Sequence, residues 1–240
     1  MSIHTTDAIV LRRYLYRETS IIVSCLSQRY GRLKGLVKGL RAHPNRYRSA
    51  MEPLTVNRIV FYDTRSSQLH LISQCELLAP LPELQRDLET MRSAARCIEL
   101  VEAVVPAEEP QPVTYQLLKE TLERMALGGV GLDILELHFI LRLLRLAGFQ
   151  PQLSECTGCN SPVQREGFWS AGQGGLLCRQ CLHQDPQAQP MPQDILGLFQ
   201  MISAAGSPPA LDGSLVAALR QRLDEFLRWR LEHPLRTLTV

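Results

Sequence analysis

The sequence lacks the short motifs that mark the commonest nucleotide-binding and hydrolytic sites. It has no G-x-x-x-x-G-K-[ST] loop for ATP, no G-x-S-x-G and no H-E-x-x-H. The glycine-rich segment Gly128–Gly131 follows a predicted helix rather than a strand, which excludes a dinucleotide-binding fingerprint. Glu108 and Glu109 lie in a loop between two prolines and form no persuasive catalytic pair. Because no residues can be assigned as nucleophile, base and oxyanion donor, we expect a protein that is not an enzyme and has no small-molecule substrate.

Long hydrophobic runs are also missing. No apolar segment before Arg12 is long enough to form a signal peptide. The most apolar stretch, Leu132–Ala147, is shorter than the roughly 18 residues of a membrane span, and it contains Arg142 and Arg145. The sequence therefore predicts a cytoplasmic protein that does not cross a membrane.

Acidic residues are absent between Glu18 and Glu52. Residues 1–60 contain eleven Lys and Arg against three Asp and Glu, a balance of +8, whereas the whole chain carries only +2. Residues 61–240 are therefore net acidic, with a balance of −6. Such an asymmetry predicts an anionic partner for the N-terminal part alone. Nucleic acid is the first candidate for this partner, and an anionic membrane surface is the second.

The basic residues are densest between Arg29 and Arg48, where seven of twenty residues are Arg or Lys. The first part alternates as a β-strand does, with Leu33 and Val37 on the face opposite the cations. Tyr30 and Tyr47 lie among the charges, and this mixture is typical of surfaces that bind a flexible polyanion with stackable bases. A solvated edge strand would show the same pattern, because Lys and Arg also prevent aggregation between strand edges. The candidate DNA-binding residues are Arg32, Lys34, Lys38, Arg41, Arg46 and Arg48.

Residues 1–80 show the pattern of a small β-barrel. Short runs rich in β-branched and aromatic residues are separated by turn signals, and a longer link joins the third run to the fourth. Gly35 and Gly39 suit the bends of a closed barrel. Five such strands indicate an oligonucleotide-binding (OB) barrel, although an SH3-like barrel would give a similar pattern. The predicted strands are Ala8–Tyr14, Ile21–Ser27, Arg32–Lys38, Leu54–Tyr62 and Gln68–Leu77.

After Pro80 the hydrophobic period lengthens to about 3.6 residues, which indicates helices. We predict helices over residues 84–105, 114–127, 132–147, 194–204 and 215–231. The expected fold class is α+β and multidomain, with an N-terminal five-stranded OB-fold β-barrel followed by an all-helical domain that carries a four-cysteine module. The predicted domains are the barrel at 1–80, the helical domain at 81–150 and 186–240, and the module at 151–185.

Four of the seven cysteines form two close pairs with the spacing C-x2-C-x18-C-x2-C. This spacing is typical of a zinc site with four thiolate ligands, in which each pair holds the metal from one tight turn. Such a site has no open coordination position, so we expect one structural Zn²⁺ per chain rather than a catalytic one. A redox C-x-x-C would need a thioredoxin-like strand and helix, which the sequence lacks. The predicted ligands are Cys156, Cys159, Cys178 and Cys181.

Three segments give the sequence a resemblance to a known family. They are AIVLRRYLYRETSIIVSCLSQRYGRLKGLVKGLR from Ala8, MEPL from Met51, and LRLLRLAGFQPQLSECTGCN from Leu141. Together they resemble the RecO family of bacterial DNA repair and recombination mediators over nearly the whole chain. The resemblance implies an OB-fold barrel, followed by a helical domain that bears a zinc module.

The resemblance also implies a function. It suggests a protein that binds single- and double-stranded DNA, anneals complementary strands, and works with RecR and the single-strand-binding protein to load recombinase. Lys34, Lys38 and Arg41 match the family's basic third strand, whereas Arg46 and Arg48 are candidates on charge alone. We therefore expect a DNA-binding mediator that is nucleoid-associated when bound to DNA. Two alternatives stay open: a zinc-ribbon enzyme that processes nucleic acid through an unrecognised active site, and a helical adaptor without direct DNA binding.

Overall fold

A computed structural model of the protein describes residues 2–39, 50–63, 69–129, 131–163, 167–204, 213–231 and 235. Contacts between residues divide the chain into two compact units, Met1–Gly129 and Val130–Val240. The predicted domain boundaries at residues 80, 150 and 185 follow changes of pattern along the sequence instead. That finer division stays a prediction.

The first unit contains the predicted five-stranded barrel, which is confirmed. The strands pair in the order β1-β2-β3-β5-β4, and the pairing of β4 with β1 closes the barrel. Neighbouring strands are antiparallel except for β3 and β5, which run parallel from Lys34 beside Leu69 to Val37 beside Ile72. This closed Greek-key arrangement is that of an OB fold. The strands are β1 (Ile3–Tyr16), β2 (Ser20–Ser27), β3 (Gly31–Val37), β4 (Val56–Tyr62) and β5 (Leu69–Ala79).

The barrel interior is filled by aliphatic and aromatic side chains that alternate along each strand. Ile21, Val23 and Cys25 of β2 point into this core together with Leu33 and Val37 of β3. Gly35 lies between the last two, and a Cβ there would overlap the Ile72 side chain. The glycine is therefore required where the small barrel brings two strands close together.

Two helices follow the barrel within the same unit. α1 spans Leu88–Val104 and α2 spans Pro112–Leu127. Asp87 caps α1 by accepting a hydrogen bond from the Thr90 N–H at 2.8 Å. α2 begins at Pro112, before the predicted start at residue 114, because proline fits the first helical position, where no N–H is needed.

The connector between α1 and α2 pairs through its backbone with the start of β3, where Ala107 lies opposite Arg32. The Glu108 N–H donates to the Arg32 carbonyl at 2.9 Å. Next to it, Gly31 has a φ of +66°, and a Cβ at Gly31 would overlap the backbone of Glu109. The connector can approach the strand this closely only because position 31 is glycine.

The second unit combines three helices with a small sheet that the sequence pattern did not reveal. α3 (Leu132–Leu146), α4 (Gln193–Ala204) and α5 (Gly213–Arg230) were predicted within a few residues. α3 ends at a glycine in the left-handed conformation: Gly148 has a φ of +76°, and the Phe149 N–H donates to the Leu144 carbonyl at 2.8 Å. None of the described helices combines the length and the hydrophobicity needed to cross a membrane.

The unpredicted sheet has the strand order β6-β8-β7-β9. Its core includes Trp169, Leu176 and Leu177, which are all buried. The Trp169 ring centroid lies 5.6 Å from that of Phe199 in α4 and 6.0 Å from that of Phe226 in α5. The sheet therefore packs against the helices of its own unit. The strands are β6 (Gln152–Cys156), β7 (Gly167–Ser170), β8 (Gly175–Leu177) and β9 (Gln189–Met191).

Candidate metal centre and nucleic-acid interface

The four predicted metal ligands lie together. The Sγ atoms of Cys156, Cys159, Cys178 and Cys181 are all within 4.8 Å of one another. The distance between the Cys159 and Cys178 sulfurs is 3.8 Å. A Zn–S bond of about 2.3 Å gives a sulfur–sulfur separation of about 3.8 Å in a regular tetrahedron. The cluster therefore has the size of a tetrahedral metal site, and it could hold a metal ion.

Two tight turns position the cysteines. Cys156 ends β6, and the chain then turns back so that the Asn160 N–H donates to the Cys156 carbonyl at 2.8 Å. Asn160 adopts a φ of +58°, a conformation that asparagine tolerates better than most residues. Cys178 follows β8 and begins the second turn, where the Cys181 N–H donates to the Cys178 carbonyl at 3.0 Å. Strand β6 lies beside β8, so the two turns face each other.

Backbone N–H groups stabilise a thiolate at Cys156. The Cys156 sulfur accepts hydrogen bonds from the N–H groups of Cys178 at 3.2 Å and Gly158 at 3.4 Å. Burial by itself opposes ionisation, but these hydrogen bonds outweigh it and lower the pKa of Cys156 to about 6. The Ser161 hydroxyl lowers the pKa of the Cys159 thiol in the same way. Thiolates are the form that binds metal.

Cys181 behaves in the opposite way. Burial, together with hydrogen bonds shared with the neighbouring thiols, raises the pKa of Cys181 to about 12. The surroundings of Cys181 therefore oppose the thiolate that those of Cys156 and Cys159 favour. A divalent cation at the centre would compensate the repulsion between four thiolates, so the donor set fits a metal ion.

The predicted DNA-binding strand has the expected two faces. Along β3, Gly31, Leu33, Gly35 and Val37 are buried, whereas Arg32 is half-buried and Lys34 is exposed. Lys38 lies just beyond the strand and is exposed. Arg41, Arg46 and Arg48 lie outside the described residues.

The three described candidates differ in what surrounds their charges. The Arg32 Nε–H donates to the Val105 carbonyl at 3.1 Å, so this side chain partly serves to attach the connector to the barrel. Lys34 and Lys38 are exposed and have no ion-pair partner within the described part of the chain. Of the predicted positions that the structure describes, these two lysines are the ones available to an anionic ligand.

Other basic residues of the barrel are held in ion pairs. Arg12 pairs with Glu99 and Glu102 of α1, and Arg13 pairs with Glu52. The Arg58 Nε donates to the Asp7 carboxylate at 2.9 Å. These ion pairs neutralise part of the positive charge of residues 1–60. The exposed side chains of Lys34 and Lys38 keep their charges unpaired within the described residues.

The sequence interpretation missed aromatic residues on the same outer face. Tyr14 is 48% exposed and pairs across β1 and β2 with Ile22, which in turn pairs with Leu36 of β3. Near the end of β1, the Arg17 guanidinium lies 5.2 Å from the centre of the Tyr16 ring. The alternation in Y-L-Y-R was the available signal, since it places both tyrosines on one face of a strand.

Comparisons with known proteins agree with this architecture. Residues 1–81 match the family model "Recombination protein O N terminal", and residues 85–239 match "Recombination protein O C terminal". A DNA repair protein RecO of Desulforudis audaxviator is 33% identical over 190 residues, which cover 79% of this chain and 75% of that protein. The RecO of Symbiobacterium thermophilum is 28% identical over 244 residues, which cover 99% of this chain and 96% of the relative.

A third relative, the DNA repair protein RecO of Pelotomaculum thermopropionicum, is 32% identical over 182 residues, which cover 76% of this chain and 70% of that protein. The two family matches together extend over nearly all of the chain, including both the barrel and the cysteine cluster. The chain therefore belongs to the RecO family of DNA repair proteins.

Proposed function

We propose that this protein is a non-enzymatic mediator of recombinational repair that binds single- and double-stranded DNA without sequence preference. The observation that carries the proposal is the outer face of the barrel, where Lys34 and Lys38 are exposed and free of acidic partners within the described residues. Tyr14 is exposed on the same face of the barrel. Cations that track phosphates, beside rings on which bases can stack, suit single strands of any sequence.

The same surface supports a role in annealing. Cationic side chains screen the repulsion between two phosphate backbones, which lets complementary strands approach each other. The sequence contains no ATP-binding loop, so binding energy alone would drive this step. By resemblance, we propose that the partners are RecR and the single-strand-binding protein, and that the outcome is recombinase loading on coated DNA.

We also propose that the metal of the four-cysteine cluster is Zn²⁺, held by Cys156, Cys159, Cys178 and Cys181. Four sulfur ligands leave no position for water or substrate, so this ion would stabilise the fold of the surrounding sheet rather than catalyse a reaction.

The test of DNA binding is a titration of single-stranded DNA at several salt concentrations. The variant Lys34→Glu, Lys38→Glu, Arg41→Glu should bind more weakly, and its slope of log K against log salt should flatten by about 2, at roughly 0.7 for each phosphate that is no longer neutralised. The matched control carries the same change of charge on the helical side of the unit: Arg86→Glu, Arg92→Glu, Lys119→Glu. This control should keep nearly the full slope.

Each outcome separates the proposal from its alternatives. An unchanged slope in the barrel variant would show that the DNA path lies elsewhere. Equal reductions of affinity in both triple variants would mean that net charge rather than a specific face governs binding. Salt-independent or absent binding in the unchanged protein would favour a helical adaptor. Turnover of DNA or RNA by the purified protein would favour an enzyme.

A further inference from the structure

A cavity of about 340 Å³ lies at the end of the barrel where β1 begins. Its walls come from β1, the β2–β3 turn, the end of β4, the start of β5 and the connector after α1. Lys34, Lys38 and the cysteine cluster do not line it. Barrel mouths are frequent ligand sites, so the chemistry of these walls indicates what could bind. The principal lining residues are His4, Tyr30, Phe61, Asp63, His70 and Glu108.

Aromatic rings form one side of the cavity. The rings of Tyr30 and Phe61 meet edge to face, with centroids 5.3 Å apart and an interplanar angle of 87°. The His4 ring centroid lies 4.9 Å from that of Tyr30, and its Nδ1 is 3.0 Å from the Tyr30 hydroxyl. This hydrogen bond holds the two rings in place. The faces of aromatic rings carry partial negative charge and attract cations.

Two carboxylates flank a buried histidine on the other side. The His70 Nε2 lies 3.4 Å from the Glu108 carboxylate, and its Nδ1 lies 3.8 Å from the Asp63 carboxylate. His70 is 6% exposed, and its Nδ1 has no hydrogen-bond partner among the described residues. The Asp63 carboxylate therefore receives no hydrogen bond from this ring, and its negative charge would attract a cation that enters the cavity.

The donors around the cavity exclude several classes of ligand. A phosphate or carboxylate would be repelled by Asp63 and Glu108. A metal ion would need several donors around one point, and within the described residues the only side chains gathered closely enough for this are the four cysteines. The two carboxylates of the cavity face different nitrogens of His70, so one metal cannot bind all three groups through that ring.

We propose that this cavity binds an organic ammonium ion, presented by a small amine or by a lysine side chain. Its N–H groups would donate to the Asp63 carboxylate, and the Glu108 carboxylate, 3.4 Å from the His70 Nε2, adds negative charge to the same wall of the cavity. The alkyl chain would lie against the rings of Tyr30 and Phe61. Neither carboxylate has a Lys or Arg partner among the described residues that would already neutralise it. The site is distinct from the proposed DNA surface and does not depend on it.

The test uses protein-detected NMR of the full-length chain, followed through the imidazole signals of His4 and His70. Three probes are titrated at one pH: butylammonium, Nα-acetyl-lysine methylamide, and the uncharged isostere Nα-acetyl-norleucine methylamide. We expect saturable shifts with both cationic probes and none with norleucine. If butylammonium binds and the lysine probe does not, the cation comes from a small amine. The two probes share an alkylammonium group, and the lysine probe differs by its attached peptide backbone.

Two single-residue variants decide which groups hold the cation. Asp63→Asn should weaken binding about fivefold or more, the effect of removing one partly buried charge from the site. Glu109→Gln is the matched control, since it removes a neighbouring carboxylate that does not line the cavity, and it should leave the affinity unchanged. Equal shifts with the norleucine probe, unchanged binding in Asp63→Asn, or equal weakening in both variants would overturn the proposal.

Discussion

The four-cysteine cluster allows a prediction that separates the two units of the chain. Replacing Cys178 with serine removes one of the four proposed metal ligands and leaves the other three in place. We expect the sheet of β6–β9 to unfold while the barrel stays folded, because the barrel core is built entirely from residues of the other compact unit. The removal of one ligand should abolish tight metal binding at this site.

The expected magnitude follows from the size of the sheet. Its strands have five, four, three and three residues. Ordering them costs about 1–2 kcal/mol per residue in backbone entropy, whereas burying Trp169, Leu176 and Leu177 returns only about 1.5–3 kcal/mol each. Structural zinc sites contribute about 10–16 kcal/mol. A bound metal would therefore supply a contribution that the small sheet cannot obtain from its own core.

The distribution of aromatic residues gives each unit its own signal. All six tyrosines lie within residues 1–129, and both tryptophans lie within residues 130–240. Trp169 is 2% exposed, whereas Trp229 is 71% exposed. In Cys178→Ser the Trp169 emission should shift towards that of a solvent-exposed ring, while the tyrosine signal and its thermal transition should change little.

Metal analysis completes the assay. The unchanged protein, purified without chelator, should contain about one zinc per chain, and Cys178→Ser should contain much less. Cys75→Ser is the control, because it alters a cysteine of β5 outside the cluster and should leave the zinc content unchanged. A Cys178→Ser variant with full zinc content and unchanged tryptophan emission would refute the reasoning, as would the absence of zinc in the unchanged protein.

Three further predictions concern annealing, a glycine and a buried charge. The protein should accelerate annealing of complementary strands coated with single-strand-binding protein, without ATP; if coated strands anneal no faster while bare DNA is still bound, a simple DNA-binding module describes it better. Gly31→Ala should lower the free energy of unfolding by at least about 2 kcal/mol, as measured by tyrosine emission in denaturant, because a Cβ there overlaps the connector backbone. Gly39→Ala, at a position with a similar φ of +70° but open space around it, should cost only about 1 kcal/mol, and equal destabilisation in the two variants would show that the overlap at Gly31 is not the cause. Arg220→Ala should destabilise the second unit by at least about 2 kcal/mol, as measured by tryptophan emission, because it removes a guanidinium 3.3 Å from the carboxylate of Glu136, which is 1% exposed. Asp133→Asn, which alters the exposed partner of the same arginine, should cost less than about 1 kcal/mol, and a larger effect there would place the important ion pair at the surface.

The sequence by itself determined most of the elements and the clustering of the four cysteines. Strands and long helices have strong periodic patterns, because each element buries one face. The two C-x-x-C pairs were sufficient to predict which four thiols lie together, since a tight turn brings cysteines at this spacing close to each other. The strands of β6–β9 were not predicted because segments of three to five residues are too short to show a period.

Only the tertiary structure decided which charges are available. Along the sequence, Arg12, Arg32 and Lys34 are equivalent cations among the net basic residues 1–60. In the fold, Arg12 meets Glu102 of α1, which is distant in sequence, and Arg32 donates to the Val105 carbonyl, whereas Lys34 remains exposed. The cavity around His70 is another such result, because its walls come from strands and a connector that are distant in sequence. Local patterns report the face on which a side chain lies, but the partner that meets it there depends on how distant segments pack together.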